Sequence, residues 1–148
     1  MAAWQGAAMG LKAILADWRR RWFSPRSLGE RGERAAERFL RRRGHKIVAR
    51  RQRSPIGELD LVTVVGKTVV FVEVKTRESH AAGHPAEAVD LDKQRRLTRL
   101  ATLFLKRHVL MAYSSRFDVV AVTWPTGSKQ PVIEHFEHAF DAVGDGPG

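Results

Sequence analysis

The chain has 148 residues, of which 43% are hydrophobic, so it is long enough to form one domain around a buried core. It contains no cysteine, which excludes disulfides, thiolate metal sites and cysteine nucleophiles and is compatible with a reducing compartment. Residues 1–56 hold 15 Lys and Arg against 4 Asp and Glu, whereas residues 57–148 hold 11 against 12. The net charge of +10 therefore arises in the first part of the chain; it favours a polyanionic partner, with a solubilising basic face as the alternative.

The first predicted element is an amphipathic, basic helix within residues 1–23, where Trp, Leu and Ile recur at helical spacing before Arg19, Arg20 and Arg21. Such a helix can touch a membrane surface or a partner, and a terminal helix docked loosely on the domain is the simpler interpretation. No apolar run is long enough to span a bilayer, and the start of the chain lacks the pattern of a secretory signal. We therefore expect no transmembrane segment and a cytoplasmic location.

The later elements follow from the spacing of apolar residues. Helices are predicted over residues 29–43 and 86–109. The strands predicted between and after them are 46–52, 57–65, 68–76 and 116–124, and a last strand with a short helix ends near Phe140. This order predicts an α/β fold in which helices flank a mixed sheet. The predicted organisation is a basic N-terminal extension at 1–28, one domain at 29–140 and a flexible tail at 141–148.

Charged residues interrupt the apolar hairpin of the second and third predicted strands. Alternation places Glu58, Asp60 and Val62 on one face of the second strand, and it places Glu73 and Lys75 on one face of the third. The turn between the strands brings Asp60 near Glu73, and adjacent carboxylates repel unless a cation lies between them. Oxygen ligands suit Mg²⁺, and an ammonium beside them can orient a metal-bound water.

Acids and a lysine on a solvated strand face are the alternative interpretation of this hairpin. The apolar run through residues 69–74 argues against it, because such a strand is covered on both faces. Charges inside a covered strand are costly without partners. The pattern therefore favours a functional site.

Five segments resemble the bacterial YraN-like family, which itself resembles restriction-endonuclease-like PD-(D/E)xK nucleases and archaeal Holliday-junction resolvases. They are "GERGERAAERFL" (29–40), "GELDLV" (57–62), "FVEVKTR" (71–77), "EAVDLDKQRRL" (87–97) and "RFDVV" (116–120). The resemblance implies a restriction-endonuclease-like mixed sheet over residues 29–140. The proline in the name of the nuclease motif has no equivalent here, since Gly57, Glu58 and Leu59 precede the aspartate.

The resemblance also implies roles for five residues. Asp60 is the pivotal metal ligand, Glu73 is the second carboxylate and the Val74 carbonyl completes the metal site. Lys75 positions the attacking water and stabilises developing charge. Glu33 on the first helix holds a metal-bound water or a second metal, although an acid near a helix N-terminus is also favoured by the helix dipole alone. The implied cofactor is Mg²⁺ or Mn²⁺.

Nucleic acid is the expected partner of the basic half of the chain. Lys93 and Gln94, at the start of the long helix, are expected to hold phosphates, and Arg77 is expected to pair with a phosphate or with Glu78. The arginines expected to bind nucleic acid are Arg41, Arg42, Arg43, Arg50, Arg51 and Arg53.

The remaining polar candidates, Asp118 and four histidines, are expected to have no catalytic role. Asp118 alternates with Arg116, which predicts a salt bridge in place of catalysis. The histidines expected at the surface are His80, His84, His135 and His138.

The sequence thus predicts a Mg²⁺-dependent endonuclease that hydrolyses phosphodiesters in structured or branched DNA. RNA as the partner and a homodimer as the assembly both stay open. One alternative is a catalytically silent nucleic-acid-binding protein of the same fold. Another is a membrane-surface or protein-interaction adaptor that uses residues 1–23.

Overall fold

The computed structural model describes residues 27–78 and 89–144. The predicted N-terminal helix, the histidines at 80 and 84 and residues 145–148 of the tail lie outside this part of the chain. The described elements are α1 (Leu28–Arg42), β1 (Lys46–Ser54), β2 (Gly57–Val65), β3 (Thr68–Glu78), α2 (Leu91–Arg107), β4 (Ser114–Trp124) and β5 (Val132–Phe140). The predicted α/β class is confirmed.

The five strands form one sheet in the order β1-β2-β3-β4-β5. β3 and β4 are parallel, and the other neighbouring pairs are antiparallel. A parallel pair needs a crossover connection, and α2 supplies it. The predicted mixed sheet is therefore confirmed, and the crossover fixes α2 against the face of β2 and β3.

A helix covers each face of the sheet. Ala35, Ala36 and Leu40 of α1 pack on one face, and α2 packs on the other. β3 contributes to both cores, since Val70 faces α1 and Phe71 faces α2. All residues of β3 from 69 to 73 are buried, so the prediction of a strand covered on both faces is confirmed.

Two predicted boundaries are wrong. The long helix begins at Leu91, because the Asp90 side chain accepts a hydrogen bond from the Lys93 backbone N–H at 2.8 Å and caps the helix there. The chain near Phe140 is not a short helix, because β5 continues to that residue and pairs with β4 at Phe117. Within the described ranges, no helix combines the length and apolar character needed to cross a membrane.

Candidate functional site

The site lies where β2 and β3 stop pairing. Their antiparallel ladder ends at Leu61 and Val72, so Asp60 and Glu73 are the first positions beyond it. The Asp60 Oδ2 accepts a hydrogen bond from the Val74 N–H at 2.9 Å and takes the place of a backbone acceptor. The N–H and C=O of one strand residue point to the same side. The Val74 carbonyl therefore also faces the gap beside Asp60.

On the other side of Asp60, β1 is distorted. Arg50 and Gln52 pair with β2, but Arg51 between them, opposite Asp60, has a φ of 44°. A non-glycine residue in this left-handed region is strained, and such strain is retained where surrounding contacts impose it. Asp60 thus lies between a broken ladder on one side and a strained residue on the other.

The side-chain alternation of β2 breaks at the same point. Leu59 packs in the core beneath α2, whereas Leu61 packs in the core beneath α1. The prediction that Glu58, Asp60 and Val62 share one face is wrong, because Val62 packs beneath α2 while the two acids turn toward α1. A regular strand cannot place residues two apart on opposite faces, so the distortion at Asp60 causes the difference.

Three carboxylates converge as a result. Glu33 of α1, Glu58 and Asp60 each offer an oxygen within 4.8 Å of the other two. We call these residues the acidic cluster. All-oxygen donors at such spacing, next to a free strand edge, suit a hard divalent cation such as Mg²⁺ or Mn²⁺. The strand pattern predicted Glu58 beside Asp60, and the resemblance implied Glu33 at the same site.

Two members of the acidic cluster already carry a counter-charge. Arg51 Nε lies 2.7 Å from Glu33 Oε2, and Arg53 Nε lies 2.9 Å from Glu58 Oε2. Asp60 makes no ion pair with any described residue. Asp60 is therefore the acid of the cluster that lacks a cation within the described ranges.

Glu73 lies on the α2 side of the gap and contacts two lysines. Lys75 Nζ is 3.6 Å from Glu73 Oε1, and Lys93 Nζ of α2 contacts the same oxygen. Asp60 and Glu73 line one small cavity beneath α2. Asp60, Glu73 and Lys75 thus lie near one another, but Asp60 turns toward α1 whereas Glu73 lies on the α2 side, and their catalytic roles stay predictions.

The pKa values of Asp60, Lys75 and Lys93 reflect this difference, in which Glu73 contacts two lysines and Asp60 makes no described ion pair. Burial, followed by the charge of Glu73, raises the pKa of Asp60 to about 7. Burial and the neighbouring Lys93 lower the pKa of Lys75. Burial also opposes the charge of Lys93, but its contact with Glu73 outweighs burial and raises its pKa. Asp60 is accordingly a carboxylate that gains from any additional cation.

The profile of the uncharacterised protein family UPF0102 matches residues 32–122. The chain belongs to this family. The matched range includes the acidic cluster, Glu73, Lys75 and Lys93, and it confirms the predicted relation to the YraN-like family.

Individual UPF0102 proteins match over most of their length. One from Rhodopirellula baltica is 48% identical over 120 residues, which is 79% of this chain and 72% of that protein. One from Syntrophotalea carbinolica is 44% identical over 118 residues, covering 80% and 94% of the two chains. One from Beutenbergia cavernae is 53% identical over 96 residues, covering 65% and 81%.

In this UPF0102 chain a cleft leads to the acidic cluster from the side of α1 and β1. Its volume is about 600 Å³, and both Glu33 and Asp60 line it. Arg34 and Arg38, one helical turn apart on α1, also line it and make no ion pair with a described residue. The predictions missed both arginines, although their spacing of four residues on a predicted helix places them on one face.

Most of the arginines expected to bind nucleic acid contact acids of the same chain. Arg50 Nε and Arg41 Nη2 each lie 2.9 Å from a carboxylate oxygen of Glu37, and the hydrogen bond from Arg50 lowers the pKa of Glu37 to about 2. Arg51 and Arg53 bind the acidic cluster. The charge count does not reveal this, because Arg50 and Arg51 meet Glu37 and Glu33 only when β1 packs beside α1. The pair of Arg41 and Glu37 has the spacing of four residues on one helix.

The other expected contacts are mixed. Arg43 stacks on Phe39 at 4.4 Å from the ring centroid, and Arg42 is exposed. Gln94 Nε2 donates to the Val89 carbonyl at 3.0 Å, so it holds the entry of α2. Arg77 lies near the end of β3, next to Glu78.

Asp118 forms a separate buried network on the α1 face. It is fully buried and accepts hydrogen bonds from Arg116 Nε at 3.0 Å, His135 Nε2 at 2.7 Å and the His138 N–H at 3.1 Å. The predicted structural salt bridge is confirmed. The prediction that His135 is a surface residue is wrong, because only 1% of its side chain is exposed, while His138 is exposed as predicted.

Proposed function

We propose that this UPF0102 protein is a divalent-metal-dependent endonuclease that hydrolyses phosphodiester bonds in structured or branched DNA. The observation that carries the proposal is Asp60. It is a partly buried carboxylate at the end of a strand ladder, beside three other acids and without an ion pair to any described residue. A buried acid in this state favours an external cation.

The chain offers a complete oxygen donor set for that cation. Asp60, Glu73 and the Val74 carbonyl would hold it, with Glu33 and Glu58 alongside. When bound, a divalent cation polarises a phosphate oxygen and lowers the pKa of its water.

Lys75 is placed to act on the attacking water. Its ammonium lies 3.6 Å from Glu73 and is about three-quarters buried, so its position is restricted. An ammonium held there can orient the water by donating a hydrogen bond to it. Its positive charge can also offset the negative charge that develops on the phosphate. We therefore assign water positioning and charge stabilisation to Lys75.

The cleft beside α1 supplies a path for the DNA backbone. Arg34 and Arg38 line the cleft, so they can contact the phosphates of a DNA strand that reaches the acidic cluster through it. Structured or branched DNA is the preferred substrate because of the resemblance to resolvases. RNA is the comparison substrate in the experiment below.

A silent nucleic-acid-binding protein is the second candidate. It is favoured by the counter-charges that the chain itself provides, since Arg51, Arg53 and Lys93 neutralise Glu33, Glu58 and Glu73. An acidic cluster that needs no metal would look similar. The two functions differ in whether Asp60 binds a divalent cation that is needed for cleavage.

The experiment is a cleavage panel with labelled duplex, single-stranded, flap and four-way-junction DNA and with RNA, in Mg²⁺ or Mn²⁺. We expect divalent-dependent cutting of branched DNA by the wild-type protein and by Asp92→Asn, whose acid is 87% exposed on α2. We expect no cutting by Asp60→Asn. Binding without cutting by the wild-type protein would establish the silent binder.

A further inference from the structure

Lys93 carries a positive charge that is unfavourable at its position in the helix. It is the third residue of α2, where the helix dipole favours acids and disfavours cations. Its backbone N–H is bound to the Asp90 cap, and the next residue, Gln94, ties the preceding turn to Val89. The first turn is therefore fixed, and local helix stability does not explain a lysine at this position.

The side chain of Lys93 reaches into the candidate site. Its Nζ contacts Glu73 Oε1, the oxygen that Lys75 also approaches at 3.6 Å. Two ammonium groups on one oxygen repel each other, and the negative charge of Glu73 offsets that repulsion. The local arrangement is that of two cations on one carboxylate.

We propose that Lys93 is a placeholder cation: in the metal-free protein its ammonium occupies the position on Glu73 that a divalent cation takes, and metal binding displaces it toward a DNA phosphate. This inference rests on the proposed function, because it assigns a metal to Glu73. A divalent cation on this oxygen repels an ammonium in direct contact with it, so the two compete for the position. Lys93 can move away, because it reaches Glu73 from α2 on a flexible stem and 29% of its side chain is exposed, against 23% for Lys75.

The displacement couples metal binding to DNA binding. Before the metal enters, the Lys93 contact must break, so it weakens metal affinity. A phosphate near the start of α2 offers the released ammonium a new partner and reduces that penalty. Metal and DNA should therefore bind cooperatively through Lys93, each raising the affinity for the other by the same factor.

The test measures Mn²⁺ binding by calorimetry, first without nucleic acid, on the wild-type protein, Lys93→Met and the control Arg95→Met. Arg95 lies two residues away on α2 and contacts only Asp92 among the ion pairs described. We expect Lys93→Met to bind Mn²⁺ about tenfold more tightly than the wild-type protein, and Arg95→Met to bind it unchanged. Lys93→Gln, which keeps a hydrogen-bond donor, is expected to shift in the same direction and serves if Lys93→Met does not fold.

The second measurement adds a non-cleavable four-way junction with phosphorothioate linkages. We expect the junction to tighten Mn²⁺ binding of the wild-type protein several-fold and to leave the affinity of Lys93→Met unchanged. Equal or weaker Mn²⁺ binding by both Lys93 variants in the absence of DNA would overturn the inference. So would an absence of Mn²⁺ binding in every protein, which would also remove the proposed metal.

The outcomes separate this inference from the nuclease proposal. Tighter Mn²⁺ binding by the Lys93 variants, with no substrate cut by the wild-type protein, supports the placeholder and contradicts the nuclease. Cutting by the wild-type protein, with Mn²⁺ affinity unchanged in the variants, supports the nuclease and contradicts the placeholder.

Discussion

Two aspartates in neighbouring parts of the sheet, Asp118 fully buried and Asp60 partly buried, have opposite environments. Asp118 is fully buried and receives hydrogen bonds from Arg116, His135 and the His138 backbone. Burial opposes its charge, but the hydrogen bonds from His135 and Arg116 outweigh burial and lower its pKa. Asp60 accepts one backbone hydrogen bond, makes no described ion pair, and has its pKa raised to about 7 by burial and by Glu73.

We propose that the difference separates a structural acid from a functional one. A buried carboxylate with complete partners stabilises the fold and needs no ligand from solution. A buried carboxylate that lacks partners costs stability and gains from an external cation. Substitutions at Asp118, at Lys75, at Asp60 and at the arginines of the cleft test this proposal.

The largest effect is expected at Asp118. Asp118→Ala leaves Arg116 and His135 without their acceptor inside the protein, so we expect the free energy of unfolding to fall by about 3 kcal/mol or more. Urea denaturation measures it. Asp141→Ala is the control, because its side chain is 89% exposed and contacts only His138 among the ion pairs described, and it should change stability by less than about 0.5 kcal/mol. A loss below about 1 kcal/mol for Asp118→Ala would contradict the structural role.

Lys75→Ala tests whether the Asp60 region is functional. The substitution should keep the fold and metal binding, since the carboxylates hold the cation. It should reduce cleavage by about 100-fold, because the water and the developing charge lose their positive partner. Single-turnover cleavage and Mn²⁺ titration measure the two properties separately. Parallel loss of fold and metal binding would make Lys75 a structural residue, equivalent to Arg116.

The pH dependence of stability distinguishes Asp60 from Asp118 directly. Because the folded-state pKa of Asp60 is raised from 3.8 to about 7, the unfolded chain ionises first and the folded protein loses stability as the pH rises from about 4 to about 7. Asp60→Asn lacks this loss, so at pH 8 and without metal it should be more stable than the wild-type protein by about 2 kcal/mol.

The same variants are also compared in the presence of metal. Millimolar Mg²⁺ at pH 8 should raise the melting temperature of the wild-type protein and leave that of Asp60→Asn unchanged, since the cation replaces the missing partner. Melting curves of both proteins between pH 4 and pH 8 check this. A constant stability difference between them across that range would show that Asp60 ionises as an ordinary aspartate.

The smallest effect is expected among the arginines. Like the two aspartates, they differ in whether they have an ion-pair partner. Arg34 and Arg38 line the cleft without a described ion pair, whereas Arg41 and Arg50 bind Glu37. Arg34→Ala with Arg38→Ala should weaken junction binding about tenfold and reduce the salt dependence by about two phosphate contacts. Arg41→Ala with Arg50→Ala, which removes the two arginines that bind Glu37, should change both much less. Fluorescence anisotropy over a salt series measures the slope.

The sequence predicts part of this site well. The turn between the strands places Asp60 opposite Glu73 in the register, and the apolar run of β3 indicates that both faces are covered. The register is predicted correctly because the hairpin is local, whereas the period of two residues fails at Asp60, which turns toward α1. The position of Glu33 near Asp60 depends on the resemblance to a known family, since α1 and β2 meet only through tertiary packing.

Other features depend on contacts that no local pattern contains. The strained Arg51 and the break in alternation at Asp60 occur where α1, β1 and β2 pack against one another. Burial of His135 follows from its contact with Asp118, which lies 17 residues earlier. Helix propensity alone would not place Lys93 against Glu73 either, because its position disagrees with the helix dipole.

The strain at Arg51 has a consequence for association. β1 and β5 are the two edges of the sheet, and each contains a non-glycine residue with positive φ, Arg51 at 44° and His138 at 50°. Such irregular edges prevent a neighbouring molecule from extending the sheet, which protects an open β-sheet from aggregation. A homodimer should then form through helices or loops. The cysteine-free chain allows a direct check, since Val48→Cys on the exposed edge of β1 should not form disulfide-linked dimers under mild oxidation.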